Sequence, residues 1–223
     1  MTSAERATAQ PWASTVSLAD RAYEAIRDRL IMLDIRPGEP LNDELLAREL
    51  ATGRTPVREA LKRLEGDRLV VAYPRRGTFA TAVDIADLAH ISEIRAELEP
   101  LAAARAARNP AASIRADLVE VAASIAATPD ITDRHELLRR DVNVHRTIYR
   151  AAGNPHLEDI LIRQDNLATR IWGLFLDRLP GLAGHIGEHH ALLEAIIAGD
   201  PERASALALE HVIGFEKAVR EVM

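Results

Sequence analysis

Cysteine is absent from all 223 residues, so the chain can build neither a disulfide framework nor a thiolate metal site. Aromatic residues are scarce, at 4%, too few for the stacking platforms on which single-stranded nucleic acid is bound. No apolar stretch approaches the roughly 20 residues of a membrane-spanning helix, and residues 1–16 lack the apolar core of a secretory signal. A positive balance is missing as well. Lys and Arg number 28 against 34 Asp and Glu, a net charge of −6, which excludes a wholly basic nucleic-acid coat. What is present, a hydrophobic fraction of 48%, excludes a disordered chain and supports a sizeable core. The expectation is a globular, cytoplasmic protein with no membrane partner. Its length corresponds to about one and a half ordinary domains, a normal one plus a small one.

The charges are unevenly placed. Residues 1–83 hold 13 basic and 12 acidic groups, a balance of +1, and residues 84–223 hold 15 and 22, a balance of −7. Between Arg54 and Arg76 seven basic residues face three acidic ones, a basic patch inside an acidic protein. All eight histidines fall in the second part. These shifts divide the chain into an arm (residues 1–17), a small domain (18–83) and a larger one (84–223).

In the small domain Leu18, Ala22, Ile26, Leu30 and Leu33 recur at steps of four, four, four and three, one face of an amphipathic helix running towards Pro37-Gly38. Asn42 is placed to cap a second helix that carries Asp43 and Glu44 in its first turn and buries Leu46, Ala47 and Leu50. After the tight connection Ala51-Thr52-Gly53-Arg54, Thr55-Pro56 reads as an N-cap followed by proline at the first position of a third helix, which buries Val57, Ala60, Leu61 and Leu64. The period then changes to that of strands, Leu69–Tyr73 and Thr78–Val83, around the basic tip Pro74-Arg75-Arg76-Gly77. Three helices, a tight turn between the second and third, and a hairpin make a winged helix-turn-helix whose third helix enters the major groove of duplex DNA. Arg54 just before that helix, and Arg58 and Lys62 within it, are placed for guanine edges or phosphates.

From Asp84 onward every segment reads helical, with breaks at Asn109-Pro110, Thr128-Pro129, Gly153-Asn154-Pro155, Pro180-Gly181 and Gly199-Asp200-Pro201. About six helices joined by short loops form a bundle. The fold class is therefore mainly α, an N-terminal winged helix-turn-helix followed by a C-terminal all-helical bundle.

The ordered pieces Pro37-Gly38, Leu46-Ala47, Arg54-Thr55-Pro56-Val57-Arg58-Glu59-Ala60-Leu61, Arg63-Leu64-Glu65 and Pro74-Arg75-Arg76-Gly77-Thr78-Phe79 resemble the GntR family of bacterial transcription regulators. By that resemblance Arg54, Thr55 and Arg58 contact bases or adjacent phosphates, and the Arg75-Arg76-Gly77 tip enters the minor groove. The chain departs from the family pattern at Gly53, where serine and its phosphate contact are usual, and at Arg68, where glycine usually makes the turn.

In the bundle, Asp141 and His145 lie one helical turn apart on the stripe Leu138, Asp141, His145, Ile148, Ala152, two polar groups on an apolar face. His211 sits likewise among Ala204, Ala208, Phe215 and Ala218, and a polar group facing a core needs a partner. A third helix offers Glu188-His189-His190, where periodicity accepts either histidine. One aspartate and three histidines on converging helices suit zinc, nickel or another divalent transition metal. Arg95 to Glu99, Asp141 to His145 leading into Ala151–Asn154, Glu188-His189 leading to Gly199-Asp200, and His211 resemble the FadR-like subgroup of the same family, with its FCD-type ligand-binding domain. That likeness selects Asp141, His145, His189 and His211 as the metal ligands and Arg95 as an auxiliary anchor for a small organic acid. It implies a homodimeric regulator, a repressor, that binds paired operator half-sites and answers to a carboxylate metabolite. The competing class is a metal-dependent hydrolase or lyase with an attached winged helix, which lacks a nucleophile elbow, a His-Glu-x-x-His motif and a phosphate loop.

Overall fold

The computed structural model describes residues 16–108, 112–126, 133–179 and 182–223. Most of the expected arm, residues 1–15, and the expected breaks at Asn109-Pro110, Thr128-Pro129 and Pro180-Gly181 lie outside the described residues.

Ser17 caps α1 (Leu18–Ile31) through a capping box with Asp20, each side chain satisfying the other's free backbone N–H. Ala22, Ile26 and Leu30 are buried along it. The helix stops at Ile31, short of the Pro37-Gly38 that periodicity points to, because Leu33 takes a left-handed backbone with φ 61°. Its side chain is thereby turned onto Gly173, where a Cβ would lie 3.0 Å from Leu33 Cδ1. A short strand β1 (Pro40–Leu41) leads into α2 (Asp43–Glu49), capped by the Asn42 side chain on the N–H groups of Glu44 and Leu45. Next comes α3 (Arg54–Gly66), whose inward residues Val57, Ala60, Leu61 and Leu64 are all buried.

The start of α3 differs from the sequence expectation. Gly53, not Thr55, is the N-cap, and no side chain caps the helix. Pro56 therefore falls within the first turn rather than at its first position, which is tolerated because the early N–H groups have no intrahelical partner to lose. Strands β2 (Val70–Tyr73) and β3 (Gly77–Ala80) form the hairpin, and the sheet order is β1-β3-β2, antiparallel throughout. Arg68 occupies the turn after α3 with φ 60°, a left-handed backbone that strains an L-residue.

The bundle consists of α4 (Asp87–Arg108), α5 (Ala112–Ala126), α6 (Arg134–Ala151), α7 (Pro155–Phe175), α8 (Leu182–Ala198) and α9 (Pro201–Val222). Side chains cap three of these helices: Asp133 on α6 and, at two of the breaks read from the sequence, Asn154 with Pro155 on α7 and Asp200 with Pro201 on α9. Helix α4 packs along α9 and against α6, α7 and α8, so it runs through the bundle's middle. Leu138, Ile148, Leu161, Ile171, Ile186, Leu193 and Val219 are buried there. Among the described residues no helix is long and apolar enough to cross a membrane.

The small domain rests on α7. Arg170, 1% exposed, donates from Nη1 to Thr81 Oγ1 at 2.6 Å and from Nη2 to the Thr81 carbonyl at 2.7 Å. The Thr81 hydroxyl in turn donates to the carbonyls of Arg68 and Leu69 at 2.9 and 3.1 Å. Burial draws the Arg170 guanidinium down to about 10, still charged at neutral pH. Arg163 with Asp67 at 3.1 Å and Arg146 with Asp28 at 3.4 Å add polar contacts between the two parts.

Candidate functional site

Two arrangements carry chemistry. The first is the outer face of α3 with the hairpin. Arg54 begins α3, Thr55 follows it, and Arg58 and Lys62 stand one and two turns further on; all four are exposed. The hairpin tip presents Arg75, Arg76 and Gly77, also exposed, with Arg75 at φ 62° and Gly77 at φ 101°. Only glycine adopts the latter without strain, which fits a tip that must turn within four residues. Arg58, Lys62, Arg76 and Gly77 line one open groove of about 540 Å³ together with Asp43 and Glu65. The groove thus brings helix and hairpin cations together, while Arg54 joins them from its edge through Asp43.

The second arrangement is buried. Asp141 and His145 on α6, His189 on α8 and His211 on α9 keep 3%, 2%, 0% and 3% of their surface, and one ligand atom from each lies within 4.8 Å of the others. His145 Nε2 is 3.2 Å from His189 Nε2 and 3.9 Å from Asp141 Oδ2, and His189 Nδ1 is 3.7 Å from Asp141 Oδ1. His190, the competing histidine, points outward with 42% of its side chain exposed and pairs with Glu194 at 3.7 Å.

Proton counting shows how well the four residues suit a cation. The Tyr149 hydroxyl gives its one proton to Glu99 at 2.8 Å, so the 3.2 Å contact between Tyr149 and His145 requires His145 Nδ1 to be the donor. His145 Nε2 is then unprotonated and turns its lone pair to the cluster, 3.2 Å from His189 Nε2. The Nδ1 of His211 contacts Glu188 at 3.2 Å, which likewise directs Nε2 away from the carboxylate. Carboxylate or phenol partners of this kind fix the tautomer of metal-ligating histidines. Asp141 Oδ1 and His189 Nδ1 have no hydrogen-bond partner among the described residues. Such orphaned buried atoms are costly unless something polar meets them.

Electrostatics point the same way. Burial, reinforced by Asp165 and Glu99 against the opposing pull of Arg95, pushes the Asp141 carboxyl well above the usual carboxylate range. Burial also drives His145, His189 and His211 well below the ordinary imidazole value, with neighbouring histidines adding to it, and Arg95 adding further at His145 and His211. Neutral imidazoles are ligand-ready, and an anion that is unfavourable alone is favourable beside a divalent ion. The residues present fit a metal.

Arg95 lies beside this cluster, 2% exposed, with Nε on Glu99 at 2.5 Å, Nη2 3.8 Å from Asp165, and its guanidinium 5.2 Å from the Phe215 ring centre. Burial opposes its charge, but Glu99, Tyr149 and Asp165 more than offset that and hold it firmly protonated. Asp165 itself is raised to about 6, first by burial, against Arg95 and with Glu99. Sequence reasoning passed over Asp165, although it stands on the apolar stripe Leu161, Asp165, Ala168, Trp172, the same signal that marked Asp141. It also passed over His185, which stacks on His211 with ring centres 4.2 Å apart and meets Trp172 edge-on. The four-residue step from His185 to His189 was its available signal.

Comparison with known proteins agrees with both halves. The family of bacterial regulatory proteins, gntR family, matches residues 18–80, and the FCD domain matches residues 90–214. The HTH-type transcriptional repressor GlaR of Escherichia coli (strain K12) is 28% identical over 201 residues, covering 86% of this chain and 90% of that protein. An uncharacterized HTH-type transcriptional regulator of the TAR-I ttuE-ttuC' intergenic region of Agrobacterium vitis is 33% identical over 159 residues, covering 67% and 93%. Among solved structures, E. coli McbR/YncC has the same fold with a TM-score of 0.80 at 24% identity, covering 93% of this chain and 99% of that one. The two relatives are named as transcriptional regulators, not as metal-dependent hydrolases or lyases. The winged helix-turn-helix and the helical bundle with its buried His/Asp cluster make this chain a member of the GntR family of bacterial transcription regulators, with an FCD domain as its helical half.

Proposed function

We propose that the chain is a homodimeric repressor whose hold on paired operator half-sites is set by a small mono- or dicarboxylate bound at a divalent metal ion in the FCD domain. Residues 18–83 read the DNA and residues 84–223 bind the effector and dimerise, with Arg54, Thr55, Arg58 and Lys62 in the major groove and Arg75, Arg76 and Gly77 at the minor groove. The repressor sense rests on named relatives such as GlaR and the D-xylose utilization operon repressor of Paenarthrobacter nicotinovorans, 28% identical over 181 residues.

The observation that carries the metal reading is the convergence of one carboxylate and three neutral imidazoles in a buried space, with Asp141 Oδ1 and His189 Nδ1 left unpartnered. Three nitrogens and one oxygen suit zinc or nickel. If bound, the ion would be held by these four residues and would supply positive charge that attracts an incoming carboxylate. Arg95, fixed between Glu99 and Asp165, is the adjacent cation that orients the acid. An effector acts only if it prefers one arrangement of the dimer, since equal affinity shifts no population.

Elemental analysis of purified protein tests the site. About one divalent ion per chain is expected in the wild type and in His190→Ala, and a loss of most of it in His145→Ala and His189→Ala. Metal retained by His189→Ala and lost by His190→Ala would reverse the assignment.

A further inference from the structure

Asp43, the first residue of α2, lies between the two arginines assigned to base reading. Its Oδ2 accepts from Arg58 Nε at 2.5 Å, and Arg54 Nη2 approaches Oδ1 and Oδ2 at 3.2 and 3.3 Å. The carboxylate is the inner member of the trio, with 22% of its side chain exposed against 63% for Arg58 and 53% for Arg54. Partial burial works against its charge, but the hydrogen bonds from Arg58 and then Arg54 prevail and hold the carboxyl below the usual range. It is therefore ionised at neutral pH.

The two arginines are gripped differently. Arg58 is held by Nε, so Nη1 and Nη2 remain as a two-pronged outward end, the donor pattern that matches O6 and N7 of guanine. Arg54 is held by one Nη and shares the carboxylate, which leaves a sideways edge suited to a phosphate oxygen. An unpaired arginine on a helix surface samples many rotamers, and ordering it on DNA costs side-chain entropy. A fixed carboxylate beneath it removes much of that cost for one orientation only.

We propose that Asp43 is a positioning residue that determines base specificity: by clamping Arg58 Nε it aims the guanidinium at a guanine, although Asp43 itself touches no base. The proposal rests on α3 being the DNA-reading helix. Asp43 adds negative charge near the phosphates, so it lowers affinity for DNA in general while raising discrimination at one position.

The test is selection of bound duplexes from a random-sequence pool by the full-length protein, comparing wild type, Asp43→Ala, Asp43→Asn, Arg58→Ala and the control Glu44→Gln. Glu44 stands beside Asp43 in the same first turn but pairs with Arg48, so its variant removes an equal charge from the helix terminus without touching Arg58. Wild type and Glu44→Gln are expected to select the same half-site. Asp43→Ala is expected to lose guanine preference on the order of tenfold at the position that Arg58→Ala also loses. Its other positions and its affinity for mixed-sequence duplex should be kept or raised. Asp43→Asn, which can still accept from Nε, should fall between. Unchanged guanine preference in Asp43→Ala overturns the proposal, as does tighter binding to every duplex with the same preferences, which would make Asp43 a mere counter-ion. A wild type that selects no sequence would overturn the DNA reading itself.

Discussion

On the outer face of α3, proposed to read DNA, Arg54 and Arg58 keep 53% and 63% of their side chains in water, whereas Asp141, His145, His189 and His211 in the bundle keep 3% or less of their surface. Exposed cations cost little to place and contribute little to stability; their energy is released only when phosphates and base edges replace water. Buried donors are the reverse, since their desolvation is offset only by a partner inside the fold. The first region can therefore be altered with little effect on folding. In the second, ligand occupancy and stability are linked.

Chelation should separate the two regions most widely. An ion present at about a hundred times its dissociation constant stabilises the fold by roughly 2.7 kcal/mol, or about 5–10 °C in Tm at this length. Thermal unfolding with and without chelator should show that loss in the wild type and in Arg58→Ala but not in His189→Ala. Equal unfolding curves for the wild type would erase the contrast. Next in size, Arg58→Ala should cost about 1–3 kcal/mol of sequence-specific binding per half-site while moving stability by no more than about 0.5 kcal/mol. A large fall in Tm would mean that this face is part of the core after all. Arg170→Met, at the contact between the regions, should cost about 1 kcal/mol of stability through its lost bonds to Thr81, as read by denaturant midpoint. Arg76→Ala should have the smallest effect, a uniform weakening on all duplexes with the salt slope reduced by about one per chain. A preference changed at a single base would assign the tip to sequence reading instead.

The two regions also differ in how far they were legible from the residues alone. Helical period places Asp141 and His145 on one face and His211 on another, and the choice of His189 over His190 came from family likeness; burial of 0% against a half-exposed neighbour agrees with it. The hydrogen-bonding partners were not legible. Glu99 accepts from Tyr149 across 50 positions of sequence and lies 3.6 Å from His145 Nδ1, and Asp165 reaches Arg95 from another helix, pairings set by how helices cross. At the DNA face the order of elements was plain, but α3 begins at Arg54 because Gly53 caps it. A Thr-Pro pair reads as a helix start whether it stands at the boundary or one step inside. The Asp43 contact also depends on the angle between α2 and α3, and first-turn acidity accounts for Asp43 equally well from sequence.

The central claim is that the buried cluster governs the exposed face. It is tested most directly by measuring the affinity of the full-length protein for its selected duplex while titrating a panel of mono- and dicarboxylic acids, with metal bound and after chelation. The account predicts that at least one acid changes duplex affinity in the metal-loaded protein, that the duplex changes that acid's affinity by the same factor, and that both effects vanish on chelation and in His189→Ala. Duplex affinity indifferent to every acid and to chelation would contradict it, leaving any metal at Asp141, His145, His189 and His211 a structural ion with no part in regulation.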